Sequence, residues 1–188
     1  MALTKQDTAQ MATDSLQNAA YFRHPHHSRR SGVGIMERSV HFSVDIDPVA
    51  LGRARASIRG GKIMMHTPSK SVSYKKRIRD EAALAMRKAG LTPATGTVFL
   101  TLDFYIPMPA SWSRNNHFAM NGEFHTQAPD LDNLVKAICD ACNGVRKSRG
   151  KPRSPGILWK DDAQVAYIEA QKMWAEKGSV IVSAEWSD

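Results

Sequence analysis

Cysteine is nearly absent: two in 188 residues, too few for a disulfide-stapled secreted scaffold. Long apolar runs are missing as well, since no stretch approaches the ~18 residues that would cross a bilayer. The amino end lacks the unbroken apolar segment of a secretory signal, because Lys5, Asp7, Asp14 and Gln17 interrupt it. Acid is scarce relative to base: 26 Lys and Arg face 18 Asp and Glu, a formal charge of +8. What is present is enough to fold, with 42% apolar and 23% charged residues, which excludes a wholly disordered chain. The expectation is a cytoplasmic, basic, single-domain protein whose partner is a polyanion.

The positive charge is concentrated. Residues 53–88 hold eleven basic residues against Asp80 and Glu81, and residues 146–160 hold six with no acid. The remainder of the chain is therefore net acidic. Single charge runs are ordinarily solvated faces. Two unbalanced runs in one small chain point instead to phosphate contacts, carried by Arg53, Arg55, Arg59, Lys62, Lys70, Lys75, Lys76 and Arg79 in the first. Arg146, Lys147, Arg149, Lys151 and Arg153 carry them in the second.

Residues 1–36 are polar and aperiodic, ending in a His- and Arg-rich stretch, and read as a flexible basic tail. Val40, Phe42, Val44 and Ile46 alternate with polar residues as a half-buried strand. Residues 48–72 read as a basic loop with Gly60-Gly61 as a turn. Ser73 can cap a helix whose buried face is Tyr74, Ile78, Ala82, Ala85 and Ala89, ended by Gly90, with its basic residues turned to solvent or ligand. Val98 to Ile106 alternate through a long strand, and a polar stretch follows to Pro129. Leu131, Leu134, Val135, Ile138 and Ala141 then share one face of a helix that stops at Asn143-Gly144. Two strands, about 164–174 and 179–186, finish the chain with residues 176–178 as a hairpin turn. The order β-α-β-α-β-β predicts an α+β domain over 37–188, a small mixed sheet carrying two main helices.

Chemistry concentrates in Asp130-Leu131-Asp132-Asn133-Leu134-Val135-Lys136. On a regular helix Asp130 and Asp132 would point ~200° apart. If Asp130 is instead the N-cap, as Pro129 and the apolar onset at Leu131 suggest, both carboxylates can turn the same way. Asp132 and Lys136 are then i and i+4 on one face. Hard oxygen ligands beside a lysine suit Mg²⁺-dependent phosphoryl transfer. Taken alone, these are also an ordinary cap, an ordinary first-turn acid and an ordinary surface pair. A second acidic pair, Asp161-Asp162 in W-K-D-D-A-Q-V, weighs against that reading, because it ends a basic segment and opens a strand.

The segments D-L-D-N-L-V-K-A-I-C-D-A-C-N-G and W-K-D-D-A-Q-V resemble the two signatures of the RusA family of Holliday-junction resolvases, bacterial and phage endonucleases. Met108-Pro109 and Ser111-Trp112-Ser113 resemble its phage-type members. The resemblance implies a homodimer, in bacterial or phage-infected cytoplasm, that binds four-way DNA junctions and nicks two strands symmetrically in recombination and repair. It implies Mg²⁺, with Mn²⁺ able to substitute. By motif position the metal ligands would be Asp130, Asp132 and Asp162, with Asp161 as second choice, and Lys136 the essential lysine. Asp140 belongs to the signature without an evident chemical task; pairing with Lys136 or supporting the dimer are its readings.

The chain departs from the resemblance by a basic insertion at 145–157, expected as a mobile DNA-touching arm or as a neutral insertion. Cys139 and Cys142 form C-x-x-C late in a helix without a second pair, and read as packing residues. Gly60-Gly61-Lys62 lacks the P-loop spacing, so no nucleotide cofactor follows. Trp112 and Phe118 can either wedge into a junction or cover a hydrophobic surface, and His117 and His125 flank the same loop. Two other functions stay open: a non-catalytic binder of branched DNA, and a nuclease of broader flap or fork specificity.

Overall fold

The computed structural model describes residues 38–51, 55–66, 68–144 and 156–187. The predicted tail, Arg53 and the basic cluster Arg146, Lys147, Arg149, Lys151 and Arg153 lie outside the described residues. Strand β1 spans Arg38–Val44, β2 Arg55–Arg59 and β3 Lys62–His66, followed by helix α1 over Ser69–Ala89. Then come β4 (Val98–Pro107), α2 (Arg114–Met120), α3 (Leu131–Cys142), a 3₁₀ turn (Asp162–Gln164), β5 (Val165–Ala175) and β6 (Ser179–Trp186). This is a mixed α+β arrangement with every expected strand and both main helices.

The main sheet has the order β1-β6-β4-β5, antiparallel except for the parallel pair β4–β5. Strand β4 lies in the interior of the sheet, between β6 and β5. Val98, Leu100, Leu102 and Phe104 are fully buried, and an interior strand satisfies its backbone on both edges. Helix α1 packs on β1 and α3, and α3 packs on β5. Tyr74, Ile78, Leu134, Ile138 and Trp186 fill the layer between helices and sheet.

Four local expectations need correction. The last two strands form no hairpin, because β4 lies between them; residues 176–178 step across its end, where Ala175 O accepts from Met108 N at 2.9 Å. Residues 55–66 are not loop but a separate hairpin, in which Gly60 (φ 58°) and Gly61 (φ 72°) supply the left-handed pair of a two-residue turn. Helix α1 begins a turn earlier than Ser73, after Pro68, and buries Ser71 and Met86 where Ala89 was expected. The polar stretch after Pro109 contains α2, capped by Ser113, whose hydroxyl accepts from Asn116 N at 3.3 Å. The stop of α1 is as expected: Gly90 sits at φ 66° and its N–H returns to the last turn.

Candidate active site

Helix α3 starts where its sequence predicts. Asp130 is the extended N-cap residue and Asp132 lies in the first turn, at the end where the helix dipole favours negative charge. The Asp130 side chain makes no capping hydrogen bond, so its carboxylate is not consumed by the helix. The segment leading into it is tied to the sheet. Lys172, on β5, donates its ammonium to the carbonyls of Gln127 and, at 2.7 Å, Pro129. Backbone bonds between His125 N and Lys172 O and between Gly122 N and Trp174 O run the same segment along the β5 edge.

A cleft of about 740 Å³ opens between α3 and β5, lined by Asp132, Val135, Lys136, Cys139, Asp162 and Ile168 among others. Asp132, Lys136 and Asp162 are exposed in it. Among the described residues Asp132 and Lys136 form no ion pair, leaving the ammonium and the carboxylate open to a ligand. Asp130 is exposed at the start of α3 and is not part of the cleft wall. Among the described residues, no three His, Cys, Asp or Glu side chains already converge as an ion cage.

The two neighbouring acids of the second motif sit differently. Asp161 caps the 3₁₀ turn, its carboxylate accepting from Ala163 N at 3.1 Å, and is half-buried. Gln164 completes the cap by accepting from Lys160 N at 2.9 Å and Asp161 N at 3.1 Å. Its amide nitrogen donates to Ala94 O at 3.0 Å and Gly96 O at 3.1 Å. Asp162 is left pointing at the cleft. Cys139 lines the same cleft, and burial pushes its thiol up to about 11, with the Asp162 and Asp140 carboxylates adding to the effect. Burial likewise raises Cys142, and both cysteines are free, as expected of packing residues.

The basic residues of α1 are partly committed within the protein. Lys75 pairs with Asp140 at 3.9 Å, so Asp140 reaches across to α1 rather than along α3 to Lys136. Lys76 pairs with Asp80 at 2.7 Å. Arg79 donates to Asn143 O at 2.8 Å, covering an unpaired carbonyl at the end of α3. Asn143 also accepts the Trp159 indole N–H at 2.7 Å, and Ile157 N bonds Cys142 O at 2.9 Å. Ile157, the last residue of the insertion, is therefore tied to the C-terminus of α3. Lys70 is exposed near the start of α1. Arg55, Arg59 and Lys62 occupy the β2–β3 ladder.

Trp112 is half-buried against Trp174, ring centres 4.9 Å apart, so it covers hydrophobic surface; Phe118 remains exposed. His117 Nε2 lies 3.1 Å from Pro109 O. His125 is buried with its ring 4.1 Å from that of Trp174, and its Nδ1 has no partner. Burial, and then the Lys172 ammonium, hold its pKa below the ordinary 6.5. Between that lowered value and 6.5 the unfolded chain binds more protons, so stability falls as pH drops through the window. Thermal melts from about pH 7.5 to about pH 5 should show this decline, and His125→Gln should flatten that part of the curve.

The sequence reading missed Lys172 and Gln164. Gln164 had a signal in the D-x-x-Q spacing of a capping box from Asp161. Lys172 had none, because its partners are backbone carbonyls brought to it by the fold.

The family model for Endodeoxyribonuclease RusA matches residues 45–185. A curated relative, named as the uncharacterized protein YqaN of Bacillus subtilis (strain 168), is 34% identical over 147 residues, covering 76% of this chain and 93% of the relative.

Proposed function

The chain belongs to the RusA endodeoxyribonuclease family, and we propose that it is a Mg²⁺-dependent nuclease resolving four-way DNA junctions by paired nicks. The observation that carries the reading is the cleft: two motifs about thirty residues apart place Asp132, Lys136 and Asp162 on one wall-to-wall opening. The donor set fits Mg²⁺, a hard cation that takes oxygen ligands and is commonly held by one or two carboxylates plus waters and phosphates. Asp132 and Asp162 would be the principal ligands, with Asp130, uncommitted at the helix start, as a third. Bound there, the ion supplies Lewis-acid polarisation of a phosphoryl oxygen and a more acidic water.

The remaining chemistry belongs to the chain. Lys136 directs its ammonium at charge developing on the phosphate or the leaving 3′ oxygen. The apolar floor of Val135, Ile168 and Ala170 lowers the local dielectric and strengthens those interactions. Asp161 and Gln164 hold the turn that aims Asp162, while Lys172 holds the segment that presents Asp130. Dimerisation supplies the second active site that symmetric nicking requires.

Incubation with a labelled immobile junction, with Mg²⁺ or EDTA and beside matched duplex, tests the reading. Paired nicks that require Mg²⁺ are expected; tight junction binding with no cleavage across a panel of junction sequences would favour a non-catalytic binder. Equal cleavage of flaps and forks would move the specificity to branched DNA in general. Lys172→Met should lower the cleavage rate about tenfold or more and raise the Mg²⁺ concentration needed, as loss of an outer support to a ligand does. Lys172→Arg, which keeps donors on the same carbonyls, should restore part of both.

A further inference from the structure

The β2–β3 hairpin exposes the apolar residues that a folded chain ordinarily covers. Ile58 and Ile63 face each other across the ladder, next to the turn, and are 78% and 74% exposed. The ladder register puts positions 56, 58, 63 and 65 on one face, all of them apolar residues. Positions 55, 57, 59, 62, 64 and 66, which are Arg, Ser, Arg, Lys, Met and His, fall on the other. Among the described residues, neither strand packs extensively on another element. A two-stranded hairpin is marginal in water by itself, and an uncovered apolar face makes it more so.

The described residues on either side of the hairpin are tied near the starts of α3 and α1. Leu51 donates its backbone N–H to Asn133 O at 3.3 Å, one residue beyond Asp132, and Ser71 Oγ bonds Ala50 O at 3.5 Å where α1 begins. A five-residue strand reaches roughly 17 Å, and a two-stranded ribbon fits a DNA groove about 12 Å wide. Charge selects the occupant. Arg55, Arg59 and Lys62 in a ladder without acid suit a polyanion and disfavour a second basic copy of the same hairpin.

We propose that this hairpin is a wedge for the branch point of DNA, with Ile58 and Ile63 seated against unstacked bases and the basic face on adjoining phosphates. The inference rests on the reading of the chain as a nuclease for branched DNA. Apolar side chains that enter a duplex must first unstack it, whereas bases at a branch point have already lost a stacking neighbour. The wedge thereby favours branched over linear DNA without reading sequence.

A junction carrying 2-aminopurine at the branch point, bound by the full chain with Ca²⁺ in place of Mg²⁺, tests it. Fluorescence should rise severalfold with the unaltered protein. Ile58→Ser with Ile63→Ser, both exposed and so compatible with folding, should abolish the rise and weaken junction binding about tenfold, leaving duplex binding unchanged. Arg59→Gln with Lys62→Gln should weaken both and flatten the salt dependence, yet keep the rise at saturating protein. A full rise in the isoleucine variant overturns the wedge; so does loss of dimer in that variant with the rise intact, which assigns the face to protein contact. Junction cleavage by the unaltered protein without any rise overturns the wedge alone. Failure to bind or cut junctions overturns the functional reading and the wedge with it.

Discussion

Asp132→Asn is expected to reduce Mg²⁺-dependent cleavage by about a thousandfold or more while leaving junction binding within about twofold. The substitution keeps shape and removes charge. Asp132 is exposed in the first turn of α3, so the fold loses only its interaction with the helix dipole, a few tenths of a kcal/mol to about 1 kcal/mol. Chemistry loses an anionic ligand in the cleft, and deleting one group that stabilises transition-state charge ordinarily costs 10²–10³. Asp162→Asn should match it, and the double variant should be little worse than either, because residues that act as one unit are not additive. Asp161→Asn separates the neighbouring acids: with its carboxylate spent on capping, it should lower the melting temperature slightly and keep cleavage within about tenfold. Single-turnover cleavage beside binding in Ca²⁺ reads all four. Cleavage by Asp132→Asn at the unaltered rate would remove the cleft from the mechanism.

The sequence made local structure legible wherever one residue's surroundings decide it. Alternation located β1, β4, β5 and β6, and the Asp130 boundary, Asn143 and Gly90 located helix ends within a residue or two. Strand pairing was not legible, because residues 176–178 are as compatible with stepping across β4 as with turning back on β5. The hairpin at 55–66 had its turn pair in view, yet its strands are only five residues long and Met64 breaks the alternation of the second. In the site, residues whose partners are side chains in the same motif were foreseeable. Lys172, Arg79 and Gln164 act on carbonyls of distant segments, and every residue offers a carbonyl, so composition cannot single out which one is used.

Gln164→Ala should cost about 2 kcal/mol or more of stability and still damage cleavage beyond what that loss explains. One amide here serves four backbone groups: two N–H donors of the turn and two carbonyls of the segment before β4. Alanine leaves all four to find water or go unpaired, and unpaired buried groups cost about 1–3 kcal/mol each. With roughly 2–4 °C of melting temperature per kcal/mol at this chain length, a fall of about 4–8 °C is expected. Gln164→Glu is the sharper probe. Its carboxylate still accepts from Lys160 N and Asp161 N but turns an oxygen toward the Ala94 and Gly96 carbonyls, so it should be nearly as damaging as alanine. The functional consequence follows from the turn's other passenger, Asp162. Once Asp162 loses its fixed aim, half-maximal Mg²⁺ should rise and the rate at saturating Mg²⁺ should fall. A variant that is merely less stable would, when assayed well below its melting temperature, keep both. Unchanged Mg²⁺ dependence in a folded Gln164→Ala protein would confine Gln164 to stability and leave Asp162 to be aimed by other contacts.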